Sequence, residues 1–172
     1  MRISVVVLAA AAAFAAVTNF AYADGEGDPA AVKQEDGKYL DERGTPTYKV
    51  QPGGTVDWYT YSGYRRYHSD CSVCHGPDGD GSKYGPAMTD ALKKLTYEDF
   101  LGIVAAGTKS GLASQANTHT FGTVPHVMCY VDDLYVYLRA RANDAVGRGR
   151  PSKRQDKPEN AHKSEDNCLG SK

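Results

Sequence analysis

The chain has 172 residues, with 20 Lys and Arg against 21 Asp and Glu and a formal net charge of −1. So balanced a charge excludes a global field that would draw the chain to nucleic acid. Four Phe and one Trp make a thin apolar core for this length, and the four cysteines make the redox compartment the next question.

The N-terminus answers it. Arg2 precedes the apolar run ISVVVLAAAAAFAAV, and Ala21-Tyr22-Ala23 forms a small-x-small cleavage site before an acidic, Gly-rich stretch. This pattern predicts a signal peptide over residues 1–23, cleaved after Ala23, and export to the periplasm. Asn19 interrupts the run before it reaches the ~20 residues a membrane span needs. No later segment is apolar enough to span, so the mature protein is expected to be soluble. Loss of Arg2 takes the net charge from −1 to −2. Residues 24–43 carry seven acids against three bases, whereas residues 139–163 carry eight bases against three acids. Such polarity suits docking to a charged protein surface; the plainer reading is two solvated tails.

Residues 24–54 read as a polar, extended arm, with one short hairpin around ERGTPTYKV. From Asp57 the texture turns aromatic, and Trp58, Tyr61, Tyr64 and Tyr67 recur near helical spacing up to Cys71. Pro77 to Pro86 is rich in Gly and Pro, a loop wrapped around something. A helix follows, with Thr96 as its cap, Glu98 and Asp99 at its positive end and Gly107 as its stop. Residues 108–126 are polar loop, and residues 129–141 place Val131, Leu134, Tyr135 and Leu138 on one helical stripe. The prediction is one small all-α domain over residues 55–146 and a polar tail over residues 147–172. Its long loops require something in the centre to pack against.

Cys71-Ser-Val-Cys74-His75 supplies that centre. Two thiols three residues apart reach two vinyl groups of one haem, and the following imidazole turns back to the iron; this is the c-type attachment pattern. A zinc site needs a second ligand pair, which the sequence lacks. A redox disulfide of the thioredoxin kind sits in a βαβ context, also lacking. The prediction is therefore one covalent haem c on Cys71 and Cys74, with His75 as proximal ligand. In an exported chain Cys129 and Cys168 then form the simplest second pair. Closing that loop stabilises by ~4 kcal/mol in the chain-entropy model and pins the tail.

The run CSVCHGPDGDGSKYGPAM resembles that of class I cytochromes c. The resemblance implies that the Pro86 carbonyl accepts the Nδ1 proton of His75, and that Met88 packs on the haem. It also implies that Gly63 and Tyr67 form the contact at which the helix before the motif crosses the last helix, here ending in YVYLRAR. The fold class implied is the small all-α class I cytochrome c fold, over about residues 55–142. The two further cysteines, VMCYVDDLYVYLRARA and the GRGRP after it resemble a narrower subgroup, the methanol-metabolism-related periplasmic cytochromes c of the XoxG and cytochrome c-L kind. That subgroup accepts electrons from pyrroloquinoline-quinone (PQQ) alcohol dehydrogenases, including the lanthanide-dependent methanol dehydrogenase. A further c-type cytochrome or an oxidase would take them on.

The distal ligand stays open between alternatives. The family places a Met before Phe-Gly; here Phe121-Gly122 is present but the Met is not, and His119 stands beside its position. His119 is the favoured distal ligand, Phe121 a haem contact and Met128 the alternative ligand, otherwise a core residue. His68, by chain direction, lies on the proximal side, His126 reads as loop surface and His162 as part of the tail. The leading function is an exported one-electron carrier, not an enzyme. The rival is a haem enzyme or gas sensor, which needs an open or displaceable distal site.

Overall fold

A computed structural model describes residues 30–108 and 120–170. The predicted leader and His119 lie outside the described residues.

Asp57 starts the first helix. Its buried carboxylate accepts from the Thr60 amide at 2.9 Å and the Thr60 hydroxyl at 2.5 Å, and ties in the Lys49 amide at 2.8 Å. Helix α1 (Trp58–Asp70) then runs to Cys71, followed by the short α2 (Ser72–His75) and a 3₁₀ turn at Pro77–Gly79. Helices α3 (Met88–Ala91) and α4 (Tyr97–Ala106) come next. The Thr96 hydroxyl caps α4 by accepting from the Asp99 amide, Asp99 returns the bond, and Gly107 ends the helix. Helices α5 (Pro125–Met128), α6 (Val131–Ala142) and α7 (Glu159–Leu169) complete the set. These short helices form the small, mainly helical domain that the sequence predicts.

The centre is the crossing of α1 and α6. It is possible because Gly63 has no side chain: a Cβ there would stand 1.8 Å from the Asp133 carbonyl oxygen. Around the crossing Tyr67, Tyr135, Tyr137, Phe100 and Leu134 are buried, and the Tyr64 and Tyr137 rings meet edge-on at 5.6 Å.

Helix α6 departs from the predicted stripe, because every residue from Asp133 to Ala142 is buried. What covers its polar side is the N-terminal segment, which is not a loose arm. Strands β1 (Lys33–Glu35), β2 (Lys38–Leu40) and β3 (Pro46–Thr47) form an antiparallel sheet in that order, and β3 lies against α6. The fully buried Arg139 guanidinium reaches Asp41 at 2.8 Å and the Pro46 carbonyl at 3.0 Å. The predicted hairpin is the β2–β3 turn; the β1–β2 turn at Asp36-Gly37 is additional.

Residues 147–170 are likewise more than a tail. Strand β5 (Lys153–Arg154) pairs in parallel with β4 (Thr55–Val56), and α7 returns to α5, where Cys129 and Cys168 form a disulfide across 39 residues. Among the described residues no helix is long and apolar enough to cross a membrane.

Candidate functional site: the cysteine–histidine motif and its cavity

Cys71 closes α1, its amide donating to the Tyr67 carbonyl at 2.9 Å, and one further turn carries Cys74 and His75. The chain must then reverse. Gly76 takes φ 75°, and a Cβ on it would stand 2.1 Å from the Gly81 carbonyl oxygen. In return the Gly81 amide donates to the His75 carbonyl at 2.8 Å. The glycines after the motif are there to let this loop fold onto itself.

His75 is held from outside the loop. Its Nδ1 lies 2.9 Å from the Pro86 carbonyl. A carbonyl oxygen only accepts, so Nδ1 carries the proton and Nε2 keeps the lone pair a metal needs. Gly85 makes room for this contact, since a Cβ there would approach Nδ1 to 3.0 Å and the Cys74 carbonyl oxygen to 2.9 Å.

Cys71, Cys74 and His75 share the wall of one cavity with Tyr67 and Asp70 of α1; Met88, Phe100, Val104, Phe121, Val127, Leu134 and Leu138 close the rest. Apart from Asp70, His75 and the Tyr67 hydroxyl, the side chains that line it are apolar or thiols. The apolar wall shows in the chemistry of Cys71, whose thiol burial pushes up to about 12. Two thiols outside any disulfide and one oriented imidazole on the edge of an apolar box fit a large planar group with two covalent anchors and a metal. The donor set suits haem c.

The structure gathers Cys71, Cys74, His75, Pro86 and Phe121 at this cavity. The Phe121 amide donates to the Val104 carbonyl at 3.0 Å, and Gly122 to Ala105 at 3.0 Å, which anchors the segment just after His119 beside the cavity. Met128 is half-buried at the end of α5; among the described residues the cavity wall takes Val127 and not Met128. Met88 faces the cavity, while His126 and His162 are exposed.

Two features of the site are absent from the sequence reading. The first is the Tyr67 hydroxyl, which donates to the Gly76 carbonyl at 2.7 Å and the His75 carbonyl at 3.2 Å, fixing the end of the motif to α1. The second is a hub at Asp78, buried with φ 59°. Its Oδ1 accepts from the Tyr137 hydroxyl at 3.2 Å and the Gly149 amide at 3.0 Å, and its carbonyl accepts from Arg141 Nε at 3.1 Å. Arg141 and Arg148 also clamp Asp80, at 3.2 Å and 2.7 Å. The only signal in the sequence is the pairing of an acidic GPDGDG with a basic RGRP far downstream.

No protein-family model matches the chain. It is similar to cytochrome c-553I of Paracoccus denitrificans, 46% identical over 136 residues, which covers 78% of this chain and 60% of that protein. The chain thus spans less than two thirds of that relative. Cytochrome c-555 of Methylococcus capsulatus (strain Bath) is 33% identical over 101 residues, 58% of this chain and 76% of the relative. Among solved structures, the c-type cytochrome XoxG from Methylobacterium extorquens AM1 superposes with a TM-score of 0.76 at 56% identity, over 81% of this chain and 86% of that one.

Proposed function

The chain belongs to the class I c-type cytochromes of the XoxG-like kind, and from that premise we propose that it works in the periplasm, taking single electrons from a PQQ-dependent methanol dehydrogenase. The lanthanide-dependent form is the donor in this reading, and a further c-type cytochrome or an oxidase is the acceptor. The observation that carries the electron-carrier reading is His75, turned by Pro86 so that Nε2 keeps its lone pair, beside two thiols in an apolar cavity.

The covalently bound haem c supplies the ferric/ferrous couple. Cys71 and Cys74 would hold it by thioether links, and His75 Nε2 would ligate its iron. The Pro86 carbonyl keeps the ring in one orientation and raises its basicity as a donor. Phe100, Phe121, Val127, Leu134 and Leu138 would give the bound group apolar surroundings, which help to set its potential. On the distal side we assign His119. Phe121, two residues on, lines the cavity, and two residues of chain span at most ~7 Å.

The test is anaerobic stopped-flow mixing of the oxidised holoprotein with a PQQ-dependent methanol dehydrogenase and methanol. The expected result is saturable reduction by one electron per chain. Reduction by dithionite but not by the dehydrogenase would remove this donor. A five-coordinate ferrous spectrum that binds carbon monoxide rapidly would favour the haem enzyme or gas sensor instead.

A further inference from the structure

The bases of the C-terminal third sort into two groups. Arg139, Arg141, Arg148, Lys157 and Lys163 each have a carboxylate within 4.0 Å. Arg150, Lys153 and Arg154 have none among the described residues, and neither does Arg65 on α1. Arg65, Arg150 and Arg154 line one surface cleft, floored by Trp58, Tyr61 and Tyr64. Three cations without counter-charges on an aromatic floor are an arrangement that folding alone does not require.

The arginines are held in place from below. The Arg154 guanidinium lies 5.0 Å from the Trp58 ring centre and 5.1 Å from that of Tyr61, and its backbone is fixed by pairing with Val56. Arg150 stacks on Tyr61 at 5.4 Å and donates to its hydroxyl. Guanidinium groups so positioned lose little side-chain freedom on binding, and their planar forks match carboxylates.

The cleft does not open on the cavity that Cys71, Cys74 and His75 line. Along α1, Tyr61, Tyr64, Arg65 and His68 face it, whereas Tyr67, Asp70 and Cys71 face the cavity, about a third of a helical turn away. The two are nevertheless joined. His68 lines the cleft, and its Nε2 lies 3.6 Å from Asp78 Oδ1 in the loop after the motif.

We propose that this cleft is a docking site for an acidic, carboxylate-bearing segment of a protein partner, gripped on a face of α1 other than the one that lines the Cys71–His75 cavity. A protein segment fits better than a small anion for two reasons. The cations come from both rims, α1 and the 150–154 segment, across a cleft of about 560 Å³. The floor between them is aromatic, and Arg together with aromatic residues is what protein interfaces concentrate at their centres.

The test uses the ¹⁵N-labelled holoprotein. Trp58 is the sole tryptophan, so one indole N–H signal reports on the cleft, and redox activity plays no part in the readout. Titration with a hexaglutamate peptide should shift that signal saturably at low ionic strength, and the shift should vanish as salt screens the charges. Arg150→Ala/Arg154→Ala should weaken binding by about tenfold or more. Arg65→Ala, at an exposed position that no fold contact uses, should weaken it as well, which keeps the test open if the double variant folds poorly. No saturable shift, or a shift undiminished in Arg65→Ala, overturns the proposal. Equal or tighter binding of citrate overturns it in favour of a small-anion site.

Discussion

At Gly63 a single methyl group decides how close two helices can come. A Cβ would stand 1.8 Å from the Asp133 carbonyl oxygen and 2.7 Å from the Tyr137 Cβ, so Gly63→Ala must push α1 off α6. The expected cost is about 1–3 kcal/mol, read as a lower denaturant midpoint with unchanged haem content. Asp133 itself governs a pH dependence. Burial outweighs the opposing Ser62 hydrogen bond and Lys38 charge and raises its carboxyl from 3.8 to about 7; Asp132 and Glu165 push the same way. A folded-state pKa above the unfolded one means the folded state holds the extra proton. The contribution is therefore fully present below about pH 4 and is lost as pH rises through about 7. Asp133→Asn should remove this part of the fall in melting temperature between pH 5 and 8. A wild-type-minus-variant difference that is flat across that range would refute the assignment. For the distal ligand, imidazole stabilises ferric iron more than thioether does, so His119 predicts a potential below that of His/Met cytochromes c. The ferric near-infrared thioether band should be missing. A band that survives His119→Ala and vanishes in Met128→Ala would move the assignment to Met128.

At the scale of elements, the disulfide is what joins α7 to α5. Opening the Cys129–Cys168 link, which closes 39 residues of sequence, should lower stability by about 4 kcal/mol in the chain-entropy model. Denaturant titration with and without reductant measures it, and the haem should stay attached. Helices α1, α4 and α6 were legible because their signals are local: an aromatic repeat, a Thr96 cap with Gly107 as stop, and an apolar stripe. The β1–β2 hairpin was also within reach, since Asp36-Gly37 is a strong turn pair. Residues 147–170 were not. Helix α7 has a single buried residue, Ala161, so no periodicity announces it, and it owes its place to long-range partners. Within the site, Cys71, Cys74, His75 and Pro86 could be read from spacing and resemblance. The Tyr67 hydroxyl and the Asp78 hub could not, because their partners are backbone carbonyls, amides and arginines that only the tertiary fold brings near.

Over the whole molecule, charge is spent in two ways. Arg139, buried with Asp41, fastens the N-terminal sheet to α6, and Arg141 and Arg148 fasten the loop after the Cys71–His75 motif through Asp80. Asp41→Ala would strand a buried guanidinium from its carboxylate and should cost about 3–5 kcal/mol, seen in chemical denaturation as a large drop in midpoint. What the long loops pack around is the cavity, and the central claim is that a haem held by Cys71 and Cys74 fills it. The most direct test is to denature the holoprotein, extract it with acidified organic solvent and record the pyridine haemochrome of the protein fraction. One haem per chain should remain with the protein and give the spectrum of two thioether links. Haem recovered in the organic phase would contradict the claim.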